Sequence, residues 1–255
     1  MELDFYNWFL VFVRIGAFLL VLPFFSTATF PVTMRVALAA LSALLLAPQL
    51  PAFPFAHLDL LAVFGLMIRE TLIGLAMGYF ACMIFYAADI AGIIITNELG
   101  LSMGSIMDPS TSAPAPLPGL ILAMLSILIM LTLNLHHGLL LGFARSFDVL
   151  PLGSGHLSPS LFEVMVARTS QIFVVALQIA APVMAVSFCI TMFFSIMSRA
   201  VPQMNVFAES FGVRIAGGLI VFGLTLQVAA QYISNYLHRL PEDLVGFGQL
   251  LGGGR

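Results

Sequence analysis

Charged side chains inside long apolar stretches are the residues of this sequence with the clearest capacity for chemistry. Arg14 lies in the middle of the first such stretch, and Arg69, Glu70 and Asp89 lie in a later one. Each would cost at least ~2.5 kcal/mol at the lipid-exposed centre of a helix, so we expect all four to face protein or water. They belong either to an ion or proton pathway or to interhelical pairs that fix packing. Because Arg69 and Glu70 are adjacent, they point in different directions on a helix and are expected to find different partners.

The remaining polar clusters do not predict catalysis or metal binding. His136 and His137 are adjacent, whereas two histidines of one helix bind a metal at spacings such as i and i+4, so buried, hydrogen-bonded histidines are the better interpretation. Ser102 and Ser105 precede Asp108 without a Gly-x-Ser-x-Gly elbow or a positioned histidine. We therefore predict no catalytic residue, no metal site and no cofactor.

The segment at residues 97–119, NELGLSMGSIMDPSTSAPAPLPG, is the most informative part of the chain. It separates two strongly apolar stretches, yet its only charged residues are Glu98 and Asp108. Its alternating prolines disfavour a regular helix and favour a stiff, extended backbone. Non-helical backbone at membrane depth is permitted only where protein buries it or a watery cavity hydrates it. The segment therefore predicts a channel lining or plug, and the alternative is a polar surface loop.

Residues 198–207, SRAVPQMNVF, predict the corner of a helical hairpin. Arg199 is placed to end one helix, where its charge is favourable for the helix dipole. Pro202 prevents that helix from continuing, because it lacks a backbone donor. Asn205 is placed to cap the next helix, with Glu209 in its first turn.

The elements that position these residues follow from the composition. Of 255 residues, 61% are hydrophobic and only 8% are charged, which is too little charge to coat a water-facing surface. The basic residues are nine arginines without a lysine, so no basic patch favours binding to nucleic acid. The composition predicts a polytopic membrane protein.

Six apolar stretches are candidates for its helices, and we predict an all-α fold in which they form helical hairpins. Strands are not expected, because the apolar runs are continuous rather than alternating. The second stretch is short for a bilayer crossing, and the third is overlong. The stretches cover about residues 5–25, 35–47, 60–95, 117–144, 171–197 and 206–237.

Several motifs together resemble the FliR family of flagellar export proteins, which is related to export proteins of injectisome type III secretion systems. The resemblance covers residues 5–240, with Asn97 and Glu98 departing from the glutamine expected there. The motifs are SRAVPQMNVF, LGLSMGSIMDP with its proline-rich continuation, RIGAF before Pro23 and Phe24, the entry from Pro31 to Arg35, the RE pair before Gly74, and SFDVLPLG.

The resemblance implies a core subunit of the flagellar export gate, in the bacterial cytoplasmic membrane at the flagellar basal body. It implies assembly with FliP-like and FliQ-like subunits and contact with FlhB-like and FlhA-like export proteins. The gate would conduct unfolded exported proteins without catalysis by this chain. The chain would comprise FliP-like hairpins at residues 1–170, with the plug loop at 97–119, a FliQ-like hairpin at 171–240, and a tail at 241–255.

Two sets of residues receive roles, the first from the resemblance and the second as a separate hypothesis about the corner motif. One set, in the loop, would plug the closed channel until a substrate displaces it. The other, at the hairpin corner, would form a subunit contact or lock the hairpin. The plug set is Met103, Ile106, Met107, Asp108, Pro109, Pro114, Pro116 and Pro118, and the corner set is Arg199, Pro202, Gln203 and Asn205.

Three alternatives stay open on the sequence. The chain could be the homologous subunit of a virulence-type injectisome. It could be a proton-coupled secondary transporter, which would also use charged residues within the membrane and broken helices. It could also be a scaffold that holds other subunits without lining a pore.

Overall fold

A computed structural model of the chain describes residues 5–26, 30–51, 53, 59–102, 117–155, 159–201, 203 and 205–252. All regular structure in these residues is helical, which confirms the predicted all-α class. The helices are α1 (Phe5–Val21), α2 (Pro23–Ser26), α3 (Val32–Leu46) followed by a 3₁₀ turn (Ala47–Gln49), α4 (Leu60–Leu99), α5 (Leu117–Thr132), α6 (Leu135–Val149), α7 (Pro159–Ala200) and α8 (Val206–Leu251).

The predicted membrane class is confirmed by the length and composition of these helices. Among the described residues, four are long and apolar enough to cross a bilayer, at Val32–Gln49, Leu60–Leu99, Phe162–Ala200 and Ala208–Leu251. The bent pair of α5 and α6 is a fifth candidate if it counts as one span, and α1 is apolar but shorter. The second stretch is longer than predicted, because the 3₁₀ turn extends α3 to 18 residues.

The chain folds as two compact units. Unit 1 comprises residues 1–83, 133–169 and 237–255, and unit 2 comprises residues 84–132 and 170–236. Three long helices, α4, α7 and α8, each contribute one part to unit 1 and the other part to unit 2. The division into a FliP-like part and a FliQ-like hairpin stays a prediction.

The helix breaks near the N-terminus fall at prolines. α1 ends at Val21, just before Pro23, and α3 begins directly after Pro31. Pro31 has the extended conformation (φ −57°, ψ 139°), and its carbonyl accepts the first hydrogen bonds of α3 from Met34 (3.0 Å) and Arg35 (3.2 Å). Proline suits this position, because its fixed φ and missing donor cost nothing at a helix start.

The fourth apolar stretch is two helices rather than the single one predicted. α5 and α6 meet at an angle of 75°. The break is at Asn134, which has the left-handed conformation with φ 55°. Asparagine is among the few residues that adopt this conformation readily, so the bend has a local cause.

The last two helices extend beyond their apolar stretches. α7 begins at Pro159 rather than near residue 171, and α8 continues to Leu251 rather than ending near residue 237. The added turns of α8 carry Pro241 within the helix and bury Leu244 and Phe247, whose ring lies 4.7 Å from that of Phe80. Residues 241–251 are thus packed helix rather than part of the predicted tail at 241–255.

The core of unit 2 is built from small residues of α4 and α7 together with a few large ones. Gly92 of α4 packs directly on α5, since a Cβ there would overlap Cα of Gly119 and lie 2.6 Å from its nitrogen. Small residues allow helix backbones to approach this closely. The core residues are Ala88, Ala91, Ile95, Leu99, Leu122, Ala176, Ile179, Ala180, Val183, Phe222 and Ala229.

Candidate functional site

In unit 1, α1 crosses α4 at Gly74. A Cβ at Gly74 would overlap the carbonyl oxygen of Arg14 and lie 2.9 Å from Cβ of Ala17. Only glycine permits this approach of the two backbones. The crossing places Arg14 against Glu70, which lies one helical turn before Gly74.

Arg14 and Glu70 form a fully buried ion pair between α1 and α4. The Nε of Arg14 donates to Oε2 of Glu70, and both side chains are 0% exposed. The Nη1 of Arg14 also donates to the carbonyl oxygen of Leu150 (2.9 Å), and the guanidinium carbon lies 4.4 Å from the centre of the Phe147 ring. These contacts offset the large cost of removing two charges from water.

Glu70 and its neighbour Arg69 also bind the turn that follows α6. Oε1 of Glu70 accepts a hydrogen bond from the N–H of Gly153 (2.9 Å), and Nη1 of Arg69 donates to the Gly153 carbonyl (3.1 Å). Gly153 has φ 74°, a conformation that favours glycine. We call Arg14, Arg69, Glu70 and the turn at residues 150–153 the buried clasp.

The clasp confirms most of what was predicted for the charged residues. Arg69 and Glu70 have different partners, Arg14 and Glu70 are buried, and Arg69 is half-buried. The pair joins two helices, as the packing interpretation predicts. The sequence did not reveal that Arg14 pairs with Glu70 or that both bind the turn. All of these residues nevertheless belong to motifs of the resemblance, namely RIGAF, RE and SFDVLPLG.

Asp89 is not buried within the single chain, unlike Arg14 and Glu70. Asp89 is exposed on α4, as are Ile93 and Asn97, which lie four and eight residues further along. This spacing puts the three residues on one helix face. Ala88 and Ala91, which lie close to Asp89 in sequence, are on a different face of α4 and belong to the core of unit 2.

Two further polar residues of α1 fix it to α3 and to the segment that follows. Asn7 donates to the Pro51 carbonyl (3.2 Å) and accepts from the N–H of Phe53 (3.1 Å). The indole N–H of Trp8 donates to the carbonyl of Ala40 in α3 (3.2 Å). The sequence did not predict the roles of Asn7 and Trp8, because their hydrogen-bond partners are backbone groups, which every residue has.

Most of the predicted plug lies outside the described residues, namely Met103, Ile106, Met107, Asp108, Pro109, Pro114 and Pro116. The ends of the segment are helical, however, where extended backbone was predicted. α4 continues to Leu99, and Pro118 is buried in the first turn of α5, where a proline is well tolerated. α4 ends in a glycine cap: Gly100 has φ 75°, and the N–H of Leu101 donates to the Thr96 carbonyl (3.0 Å).

The hairpin corner has the predicted local geometry in its described residues. Arg199 lies in the last turn of α7, and Oδ1 of Asn205 accepts from the N–H of Ala208 (3.3 Å) at the start of α8. Pro202 lies outside the described residues. Arg199, Gln203 and Asn205 are exposed in the single chain, and their role as a subunit contact stays a prediction.

The prediction of buried, hydrogen-bonded histidines is wrong. The rings of His136 and His137 lie 4.0 Å apart, and His137 is exposed. Nδ1 of His136 is buried without a hydrogen-bond partner among the described residues. In the described part of the chain, no group of three or more His, Cys, Asp or Glu side chains could hold a metal.

The chain has known relatives along nearly its whole length. Residues 5–240 match the family described as bacterial export proteins, family 1. The chain is 30% identical over 249 residues to flagellar biosynthetic protein FliR of Bacillus subtilis (strain 168), covering 95% of each chain. It is 27% identical over 246 residues to the protein of that name from Escherichia coli (strain K12), covering 95% of this chain and 93% of the other. It is 26% identical over 187 residues to Yop proteins translocation protein T of Yersinia pestis, covering 72% of each chain.

Proposed function

The chain belongs to the bacterial export proteins, family 1, and from that premise we propose that it is a core subunit of the flagellar type III protein export gate. In this role it helps to form and plug the channel through which unfolded proteins are secreted. The observation that carries the proposal is the similarity to flagellar biosynthetic protein FliR over 95% of both chains.

The proposed partners are FliP-like and FliQ-like subunits, with FlhB-like and FlhA-like proteins in contact, in the cytoplasmic membrane at the flagellar basal body. The surface of the single chain supports assembly of this kind. α7 and α8 expose large apolar side chains such as Phe193 (59%), Ile196 (66%) and Leu224 (75%). Apolar surface of this size needs cover from lipid or from other subunits.

Within the gate, the buried clasp is proposed to fix the positions of α1, α4 and the turn at residues 150–153 relative to one another. A proton pathway through Arg14 and Glu70 would require water to reach them, and both side chains are 0% exposed. Their partners are each other and backbone groups of this chain. The clasp therefore supports a packing role rather than the transporter alternative.

Deletion of the gene is the test of the proposed function. We expect the deletion strain to lose swimming and to stop secreting flagellar hook and filament proteins, because no other subunit would complete the gate. A plasmid copy of the wild-type gene should restore both. Normal swimming and secretion in the deletion strain would contradict the proposal.

The plug is proposed to lie in the loop at residues 97–119, from Met103 to Pro118, and a second experiment tests it separately. Removing residues 110–117 should raise ion leakage across the membrane while gate assembly stays intact, because the loop would no longer fill the resting channel. Leakage is measured as the dissipation of membrane potential in cells that express the gate. Unchanged leakage with an assembled gate would show that the loop does not close the channel.

A virulence-type injectisome gate is the second candidate, because a Yop translocation protein covers 72% of the chain at 26% identity. The two candidates differ in what the deletion strain fails to secrete. Loss of flagellar proteins supports the flagellar gate. Intact swimming with loss of secreted effector proteins would support the injectisome.

A further inference from the structure

Unit 2 contains an open groove between the end of α4 and the middle of α7. Its cavity volume is about 430 Å³. The described side chains that line it are mostly apolar or hydroxyl-bearing, with a single charged group. They are Glu98, Met184, Ala185, Ser187, Phe188 and Thr191.

Arg214 lies beside the end of α4, with its Nη2 3.5 Å from the position that a Cβ on Gly100 would take, but it makes no ion pair with Glu98. No described residue makes an ion pair with its carboxylate, and Arg14–Glu70 is the ion pair found there. The two nearby hydroxyls are already engaged: Ser187 donates to the backbone carbonyl of Glu98 (3.1 Å), and Thr191 donates to the carbonyl of Ser187 (2.8 Å). Among the described residues, the carboxylate of Glu98 therefore has no ion-pair partner.

The position of Glu98 on its helix makes this charge still less favourable. Glu98 is the next-to-last residue of α4, which ends at Leu99. A helix C-terminus carries a partial negative charge, so a carboxylate in the last turn is repelled and a cation beside it is stabilised. The electrostatics of the groove thus favour a positively charged occupant.

The surroundings of the groove indicate what carries that charge. Phe188 (65%), Met192 (48%) and Phe193 (59%) are exposed on the same part of α7. An apolar helix that carries one basic side chain would cover these exposed apolar side chains and supply the charge, whereas a free cation would leave them uncovered.

We propose that the groove receives one arginine or lysine side chain from an otherwise apolar helix of another subunit, with Glu98 as its counter-charge. The apolar walls fit the aliphatic stem of such a side chain, and the carboxylate fits its charged end. The inference rests on the proposed function in that the partner is a subunit of the same gate. It makes Glu98 a determinant of which helix docks there.

Photo-crosslinking within the assembled gate tests the groove. A benzophenone amino acid at Thr191, which is exposed and lines the groove, should crosslink to a subunit peptide that contains arginine or lysine. In the Glu98→Gln background the yield should fall about tenfold, because the basic side chain loses its counter-charge. Asp89→Asn is the matched control: it removes an exposed carboxylate of the same helix, outside the groove, and should leave the yield unchanged.

Two further variants make the test decisive. Ala185→Trp fills the groove without touching the charge and should also reduce the crosslink. Glu98→Arg should block docking, and replacing the crosslinked basic residue of the partner by glutamate should restore it. Crosslinks to lipid alone, crosslinks to a peptide without a basic residue, or an unchanged yield in Glu98→Gln would each overturn the proposal.

The experiments distinguish an error in the groove proposal from an error in the proposed function. If the wild-type chain assembles and supports secretion but Glu98→Gln does not alter the crosslink, only the groove proposal fails. If the wild-type chain neither assembles with other gate subunits nor supports secretion, the proposed function fails as well.

Discussion

Replacing Glu70 with alanine is expected to destabilise the chain by about 3–5 kcal/mol, because it leaves Arg14 as an unpaired buried charge. The substitution also removes the acceptor for the N–H of Gly153. Both losses fall on the contacts that join α1, α4 and the turn at residues 150–153. The measurement is thermal unfolding of the purified gate in detergent, followed by intrinsic fluorescence.

Two variants separate the loss of a charge partner from a general sensitivity of α4. The double substitution Arg14→Met with Glu70→Leu should be less destabilising than Glu70→Ala, because no unpaired charge remains in the interior. Asp89→Asn, on the exposed face of the same helix, should stay within about 0.5 kcal/mol of the wild type. If Glu70→Ala unfolded at the wild-type temperature, the pair would not hold unit 1 together.

Gly92→Ala is expected to have the second largest effect, a loss of about 3 kcal/mol from overpacking. The new methyl group would overlap Cα of Gly119 and lie 2.6 Å from its nitrogen. Backbone atoms have no rotamer by which to move aside, so α5 has to shift away from α4 as a whole. The shift would open the core around Ile95 and Leu122, and the measurement is again thermal unfolding of the gate.

Gly65→Ala provides a matched control on the same helix. A Cβ at Gly65 has nothing within 4 Å, so alanine should stabilise α4 by about 0.5–1 kcal/mol through its higher helix propensity. The two substitutions are chemically identical, and they differ only in what the methyl group meets. Equal effects at the two positions would mean that α4 and α5 are not packed in this way.

Local features of the sequence predicted local features of the fold. Asn205 is predicted to cap a helix, and α8 begins directly after it. Helix ends depend on backbone donors and acceptors within a few residues, so the sequence nearby is sufficient to place them. The bend at Asn134 was missed, because a single asparagine in an apolar run is a weak signal for the left-handed conformation that it adopts.

The full extent of the long helices could not be read from apolar stretches. α7 starts at Pro159 and α8 continues to Leu251, although the flanking turns contain charged and polar residues. Hydropathy reports where side chains leave water, whereas a helix continues as long as its backbone hydrogen bonds are favourable. The buried Leu244 and Phe247 show that these extra turns also carry part of the core of unit 1.

The sequence by itself determined that this is a membrane protein, because it has too few charged residues for a water-facing surface. It also determined that the charges within apolar helices need partners. Only the tertiary structure decided which partners they have. Arg14 meets Glu70 across 56 residues of chain, because Gly74 lets two backbones approach, while Asp89 on the same helix points outward. The sequence shows which charges would cost free energy if they were buried. Which partner offsets that cost depends on which helices pack together, and these helices are far apart in the chain.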